Sequence, residues 1–295
     1  PGNVSARTAQ VQLAAIEGNL TGALEMLVPV LAASPNDGDA LALKGDIETA
    51  LGRNADAEKS YEQAVAARPA LVRARYALVS SLVRNKQLDK AAEQVDQLKK
   101  AAPNDPRTWH AIAYVAFARG DDAAAVDAVQ KAVQAAPQYL PARYLSGLLD
   151  LKRGAYASAE DSLRTVVAKA PNDDGARIAL AETLLRRGVP VKAQETLEPT
   201  LRRAPDNPVA LRLAGEIQLA LKKPDASAEF IERANALDKG NLGGRVRLAE
   251  VRLAKGETDV GMRDLETLAT EDPDRREPDI ALINAHLRAR EFDKA

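Results

Sequence analysis

The chain has 295 residues, of which 46% are hydrophobic but only 3% are aromatic. Because β-strands favour β-branched and aromatic side chains, this composition predicts an all-α fold. Forty-one basic residues against 42 acidic ones give a net charge of −1, without the basic excess of nucleic-acid binders. With no cysteine and only two histidines, the chain lacks the ligands for zinc–thiolate or multi-histidine metal sites. We therefore predict no nucleic-acid partner, no metal, no cofactor and no catalytic residue.

Prolines spaced 34 residues apart divide the chain into repeats. The prolines on this spacing are Pro1, Pro35, Pro69, Pro103, Pro137, Pro171, Pro205 and Pro273. With each proline counted as position 32, repeats begin at residues 4, 38, 72, 106, 140, 174, 208 and 242, and a truncated ninth repeat covers 276–295. Since proline stops one helix and a recurrent mid-repeat glycine suits the end of another, each repeat is predicted to hold two helices. The chain is then a single array over residues 1–295.

Three positions of the repeat keep a constant side-chain size. Position 8 is small in most repeats, at Gly45, Ala113, Gly147, Ala181, Gly215 and Ala249. Position 20 is small throughout, at Ala23, Ala57, Ala91, Ala125, Ala159, Ala193, Ser227, Gly261 and Ala295. Position 24 is large and apolar, at Leu27, Tyr61, Val95, Val129, Leu163, Leu197, Ile231 and Leu265. Small residues let two antiparallel helices approach closely, and the large residue fills the space beside their crossing.

These columns resemble the tetratricopeptide repeat. The resemblance covers the whole chain and implies an all-α, right-handed superhelical solenoid of tandem helix–turn–helix units. It also implies a protein that binds other molecules rather than one that catalyses a reaction.

Two features depart from the regular pattern. Pro29 and Pro199 fall at position 26, inside the second helix, where proline removes a backbone hydrogen bond. Local curvature and a change of superhelix pitch are both open interpretations. Lys239 replaces the helix-stopping proline and is followed by Gly240, Gly243, Gly244 and Gly261, so the eighth repeat, which starts at 242, is the predicted weak joint of the stack.

In tetratricopeptide proteins the first helices line a concave surface through positions 2, 5, 9 and 12. Here the third to fifth repeats place aromatic and basic residues on that surface. They are Tyr76, His110 and Tyr144 at position 5, Tyr114 at position 9, Phe117 at position 12, and Arg73 and Arg107 at position 2. Aromatic and arginine side chains commonly anchor binding surfaces, so we predict a peptide-binding groove. Stacking against sugar rings and packing between neighbouring first helices are the alternatives.

A row of glutamates continues along the same predicted surface. Glu182, Glu216 and Glu250 occupy position 9 of the sixth, seventh and eighth repeats. This acidic patch would favour a basic partner. The alternative is a solvated row whose carboxylates pair with the arginines one turn away along the same helices, which are Arg177, Arg212 and Arg245.

Several strings resemble the tetratricopeptide lipoproteins of the PEP-CTERM/exosortase system. They are Leu27-Val28-Pro29, Gly45-Asp46, Leu197-Glu198-Pro199, Asp279-Ile280-Ala281-Leu282-Ile283, His286-Leu287-Arg288 and Glu291-Phe292-Asp293-Lys294-Ala295. The resemblance implies a lipid-anchored envelope protein facing the periplasm and associated with exopolysaccharide production and PEP-CTERM protein sorting. The lipid-bearing cysteine would lie upstream of this sequence. Tetratricopeptide scaffolds of exopolysaccharide export are a second resemblance of the same kind.

The sequence therefore predicts a non-catalytic protein-binding scaffold of the bacterial envelope, periplasmic and lipid-anchored, with a cytoplasmic location left open. The alternative function is a carbohydrate-binding module of an exopolysaccharide secretion system that uses the concave aromatic row. Protein or peptide partners, polysaccharide and self-association are all open, and membrane contact is expected only through the lipid anchor. Because neither end carries a polar capping face, we expect this sequence to be a fragment of a longer protein.

Overall fold

The computed structural model describes residues 4–271 and 274–293, which form α-helices and no β-strand. The helices are α1 (Val4–Ile16), α2 (Leu20–Ala33), α3 (Gly38–Ala50), α4 (Asn54–Ala67), α5 (Val72–Arg84), α6 (Leu88–Ala101), α7 (Pro106–Ala118), α8 (Asp122–Ala135), α9 (Leu140–Lys152), α10 (Tyr156–Lys169), α11 (Asp174–Arg186), α12 (Pro190–Arg203), α13 (Pro208–Ala220), α14 (Pro224–Leu237), α15 (Leu242–Ala254), α16 (Thr258–Glu271) and α17 (Glu277–Ala289). Pro1, Pro273 and Ala295, which helped to define the period, lie outside the described residues.

The helices form pairs that recur every 34 residues. The first helices, α1 to α15 in odd numbers, begin at this interval from Val4 to Leu242, and α17 begins at Glu277. First helices have 13 residues and second helices have 14, as in α1 and α2. Consecutive helices pack on each other from α1 to α8 and from α10 to α17. The predicted all-α fold of tandem helix pairs is confirmed.

The turn inside each pair depends on one residue in the left-handed conformation. Gly52 and Gly120 have φ values of 75° and 79°, and the other glycines of this column behave alike. Lys86 and Lys222 take the same place with φ values of 59° and 60°. This conformation ends a helix and turns the chain back, and glycine adopts it without steric cost.

Small residues at position 8 make room for the large residue at position 24. A Cβ atom added at Gly45 would lie 2.6 Å from the ring of Tyr61, and one added at Gly215 would lie 2.5 Å from Ile231. Position 20 is buried as well, since Ala57 and Ala125 have no exposed surface. The helices of a pair therefore touch almost backbone to backbone, as the size pattern indicated.

Side chains fasten the turns that join successive pairs. Five of these turns have a backbone carbonyl that accepts a hydrogen bond from a side chain of the following pair. The bonds are Arg75 to Pro69 (3.0 Å), Thr108 to Ala102 (2.8 Å), Arg143 to Pro137 (2.9 Å), Arg177 to Pro171 (2.6 Å) and Arg233 to Pro205 (3.1 Å). In the turn at Lys239, Arg212 and Asn241 contact the side chain of Asp238 instead.

Pro29 and Pro199 lie inside α2 and α12 without breaking either helix. Both helices keep the 14-residue length of the other second helices. The large apolar residue at position 24 stays buried in both helices, since Leu27 and Leu197 are each 1% exposed.

The chain forms two compact units, residues 1–149 and residues 150–295. We call them the N-terminal unit and the C-terminal unit and describe each by itself. The single continuous array over 1–295 stays a prediction. No helix among the described residues is both long enough and apolar enough to cross a bilayer.

Candidate functional site

The predicted aromatic row forms a packed cluster in the N-terminal unit. His110 on α7 is its centre and is only 6% exposed. The hydroxyl of Tyr76 on α5 lies 3.1 Å from Nδ1 of His110. The ring of Tyr114 is stacked on the imidazole at 6.0 Å between centroids, and Tyr139 meets it edge-on at 5.8 Å. The cluster thus joins first helices α5 and α7 to the turn before α9.

Burial sets the protonation of this cluster. Desolvation lowers the pKa of His110 to about 4, although a hydrogen bond with the backbone of Pro141 opposes the shift. Burial also raises the pKa of the Tyr76 and Tyr139 hydroxyls, which hydrogen-bond to each other. At neutral pH His110 is therefore an uncharged imidazole, and Tyr76 and Tyr139 are uncharged phenols.

The remaining residues predicted for this groove are half-buried. Tyr114 and Phe117 on α7 both pack against the hydrophobic core formed with α8, and Tyr144 on α9 is also half-buried. Sequence reasoning missed Tyr139, since it lies in an inter-pair turn and outside the columns. The cluster matches the packing alternative at His110, and peptide binding by the row stays a prediction.

The two arginines of the predicted groove already have acidic partners. Arg73 binds Asp46 at 2.7 Å, and the other carboxylate oxygen of Asp46 accepts from the Tyr61 hydroxyl at 2.9 Å. Arg107 binds Asp105 through two nitrogens, at 2.6 and 2.9 Å. The hydrogen bonds of this pair lower the pKa of Asp105 and raise that of Arg107. Both arginines are held in place, with their charges neutralised.

An apolar groove of about 370 Å³ lies between first helices α1 and α3. We call it the N-terminal groove, and it is lined by Gln12, Ala15, Ile16, Leu20, Leu43, Asp46, Ile47 and Ala50. Ile16 is 83% exposed and Leu13 nearby is 56% exposed. Ile16 occupies position 13, which is exposed in every pair and is elsewhere small or charged. The other residues of that column are Ala50, Arg84, Ala118, Lys152, Arg186, Ala220, Ala254 and Arg288.

The predicted acidic patch is a ladder of alternating charge in the C-terminal unit. Arg186 lies 3.4 Å from Glu182 and 3.9 Å from Glu216. Arg247 lies 3.5 Å from Glu216 and 2.7 Å from Glu250. Three carboxylates on α11, α13 and α15 thus share two guanidinium groups. We call these five residues the charge ladder.

The ladder arginines differ from the ones that the sequence suggested. Arg177 donates to the carbonyl of Pro171, as described above, and Arg212 pairs with Asp238 at 3.3 Å. Arg245 pairs with Glu271 at 2.7 Å. The expected pairing with Arg177, Arg212 and Arg245 is therefore wrong, because these side chains point along their own pair toward the turn or the second helix.

A second groove, of about 270 Å³, lies between first helices α15 and α17. We call it the C-terminal groove, and it is lined by Gly243, Val246, Arg247, Glu250, Glu277, Ile280, Ala281 and Asn284. Ile280 on its α17 side is 57% exposed. Arg247 and Glu250 belong to both the groove and the charge ladder, so the two features adjoin.

No group of three or more histidine, aspartate or glutamate side chains among the described residues could hold a metal ion. Both histidines are buried and engaged, His110 with Tyr76 and His286 with Glu291 at 2.9 Å.

Tandem helix pairs with open grooves on the first helices define a helical-repeat protein. Models described as tetratricopeptide repeat match residues 48–113 and 150–217, 8–72, and 106–139. Together these segments cover more than half of the chain, which belongs to the tetratricopeptide repeat family. Repeats of this family generally mediate protein–protein interactions. A search of curated protein sequences finds no match.

Solved structures agree with the fold. A chain of the APC/C heterotetramer Cut9–Hcn1 aligns with a TM-score of 0.70 at 17% identity, over 93% of this chain and 54% of its own. The present chain thus spans about half of that protein. A tetratricopeptide repeat protein from Parabacteroides merdae aligns with a TM-score of 0.56 at 17% identity, over 83% of this chain and 97% of its own. PilF from Pseudomonas aeruginosa aligns with a TM-score of 0.58 at 17% identity, over 72% and 97% respectively.

Proposed function

We propose that this chain is a non-catalytic scaffold of the bacterial envelope that binds a protein partner through the first helices. The observation that carries the proposal is Ile16, an exposed aliphatic side chain in an apolar groove. Exposed apolar surface is costly in water, and a rimmed apolar groove is a typical protein-interaction site. The partner would place an apolar side chain in the N-terminal groove.

The polar residue at the edge of this groove supports an apolar contact. Asp46 already binds Tyr61 and Arg73, so its carboxylate is satisfied. A partner side chain therefore gains mainly from the apolar surface that it covers, at roughly 25 cal/mol per Å². About 100 Å² of covered apolar surface would contribute roughly 2.5 kcal/mol before the entropic cost of binding.

The envelope setting of the proposal comes from the sequence strings that resemble the PEP-CTERM/exosortase lipoproteins. In that setting the scaffold would face the periplasm on a lipid anchor outside this sequence. It would then hold components of exopolysaccharide production or of PEP-CTERM protein sorting.

Carbohydrate binding by the aromatic row is the less favoured function. Sugar rings stack on an open aromatic face, whereas His110 is nearly buried and is contacted by Tyr76, Tyr114 and Tyr139. The geometry of the cluster therefore favours the protein-binding proposal.

The test compares the parent chain with Ile16→Asp and with Val28→Asp as a matched control. Val28 is 66% exposed on second helix α2, outside the N-terminal groove. Each immobilised chain is incubated with an envelope fraction of the producing cells, before and after polysaccharide digestion. We expect one protein to be captured by the parent and by Val28→Asp, to be lost with Ile16→Asp, and to survive digestion.

Other outcomes decide against the proposal. Equal capture by all three chains would place the binding surface outside the N-terminal groove. Capture that disappears on polysaccharide digestion would favour the carbohydrate-binding alternative.

A further inference from the structure

Glu216 lies in the middle of the charge ladder, and both of its ion-pair distances are long. Its carboxylate lies 3.9 Å from Arg186 and 3.5 Å from Arg247, whereas Arg247 approaches Glu250 to 2.7 Å. It has no other polar partner among the described residues. A carboxylate offers about four acceptor sites, so Glu216 keeps most of its hydrogen-bonding capacity unused. Its side chain is 27% exposed and therefore accessible.

The C-terminal groove gives this carboxylate an apolar neighbour. Its floor includes Val246, and its α17 wall carries the exposed Ile280. The groove is open because Gly243 lacks a side chain. A Cβ atom added there would meet only Asn241, at 3.5 Å.

Arg247 connects the two features. Its side chain lines the groove, and its guanidinium contacts Glu216 and Glu250. The distance from the groove to Glu216 is thus no longer than one arginine side chain, that of Arg247. In an extended peptide, which advances about 3.3 Å per residue, two side chains a few residues apart can span such a separation.

We propose that the C-terminal groove and Glu216 together bind an extended partner segment that carries one basic and one aliphatic side chain a few residues apart. The basic group binds Glu216, and the aliphatic side chain enters the groove over Val246 and Ile280. The proposal rests on the proposed protein-binding function and assigns a partner chemistry to a second groove.

Charge complementarity selects a basic segment over an acidic one. The ladder has three carboxylates and two guanidinium groups, so one negative charge is in excess. Among the three carboxylates, Glu216 has the longest ion-pair distances. An acidic segment would have to displace Arg247 from Glu250, and it would meet Glu277 on the groove wall. The N-terminal groove differs, because each oxygen of Asp46 already accepts a short hydrogen bond and its charge is paired with Arg73.

The experiment selects phage-displayed random heptapeptides on the immobilised chain. Selected peptides are then synthesised, and their dissociation constants are measured by fluorescence anisotropy at low and high salt. The variants are Glu216→Gln, which removes the charge, and Gly243→Leu, which fills the groove. Glu198→Gln is the control, because Glu198 is 58% exposed on α12, where its ion-pair partner is Arg202 at 2.7 Å. Circular dichroism checks that each variant is folded.

We expect the selected peptides to share a lysine or arginine near an aliphatic residue. Glu216→Gln should raise their dissociation constants about tenfold, the usual effect of losing a charge-assisted hydrogen bond, and should abolish most of the salt dependence. Gly243→Leu should weaken binding by a similar factor, and Glu198→Gln should leave it unchanged.

Three results would overturn the proposal: no enriched peptides, enriched peptides without a basic residue, or affinities that Glu216→Gln leaves unchanged. The protein-binding function is tested separately by capture through the N-terminal groove. Loss of that capture with Ile16→Asp would leave the function standing even if the peptide selection failed.

Discussion

His110 is the residue at which burial changes the chemistry most clearly. In the unfolded chain its imidazole has an ordinary pKa near 6.5, and in the folded chain burial lowers the pKa to about 4. The unfolded state therefore binds a proton first as the pH falls. The stabilising contribution of neutral His110 is complete above pH ~6.5 and is lost between pH ~6.5 and pH 4, by about 3 kcal/mol in total.

This shift predicts an acid-sensitive N-terminal unit. The parent and His110→Gln are unfolded with urea at pH 7.5 and at pH 4.5, and the loss of stability on acidification is compared. We expect the parent to lose about 2 kcal/mol more than the variant, since glutamine does not titrate. Equal losses would show that His110 keeps an ordinary pKa and is not buried as described.

The sequence predicts the packing of small and large side chains better than it predicts the partners of polar side chains. The size columns predict Gly45 against Tyr61 and Gly215 against Ile231, because a Cβ atom at either glycine would lie within 2.6 Å of the facing side chain. Polar partners were harder to predict. The sequence alone does not show which arginine meets Glu216. The structure shows that its neighbours are Arg186 and Arg247, which lie on the first helices on either side of α13. Arg75, Arg143 and Arg177 share position 4 of their repeats, yet their bonds to turn carbonyls became apparent only from the structure.

At the scale of helices, no side chain among the described residues bonds a carbonyl of the turn between α14 and α15, whereas such a bond fastens five other turns. The same turn has Lys239 at the position where every other inter-pair turn of the sequence has proline. Asp238 before it has φ −135° and ψ 73°, close to Ala204 before Pro205 at −131° and 71°. Nearby, Asn235 donates to the carbonyl of Gly244 at 3.1 Å, while its own buried oxygen has no partner. A buried acceptor without a partner costs about 1–3 kcal/mol, so we expect this oxygen to destabilise the joint.

The backbone at this joint is already suited to proline. Lys239→Pro should stabilise the C-terminal unit by about 0.5–1 kcal/mol, because proline restricts the unfolded chain without straining the folded one. Hydrogen exchange of the α15 and α16 amides should slow in the variant. The control Ala204→Pro should destabilise, since it removes the bond from the Ala204 amide to Thr200 at 2.8 Å. Faster exchange in Lys239→Pro would contradict the account.

Across the whole chain, a strict period predicts helix number and helix length well, because each pair packs mainly on its neighbours. It does not predict where the surface departs from the repeat. Ile16 in an otherwise small or charged column was visible in the sequence, but its meaning depends on the groove that α1 and α3 form around it. The solved structures at 17% identity share only the fold. We therefore expect the choice of partner to depend on the chain's own grooves.

The most direct test of the central claim is site-specific photo-crosslinking from position 16. A benzophenone amino acid replaces Ile16 in one chain and Val28 in another, and each is irradiated in an envelope fraction of the producing cells. We predict a single crosslinked product from position 16 that is sensitive to protease and resistant to polysaccharide digestion, with none from position 28. Equal products from both positions, or a product removed by polysaccharide digestion, would contradict a protein-binding groove on the first helices.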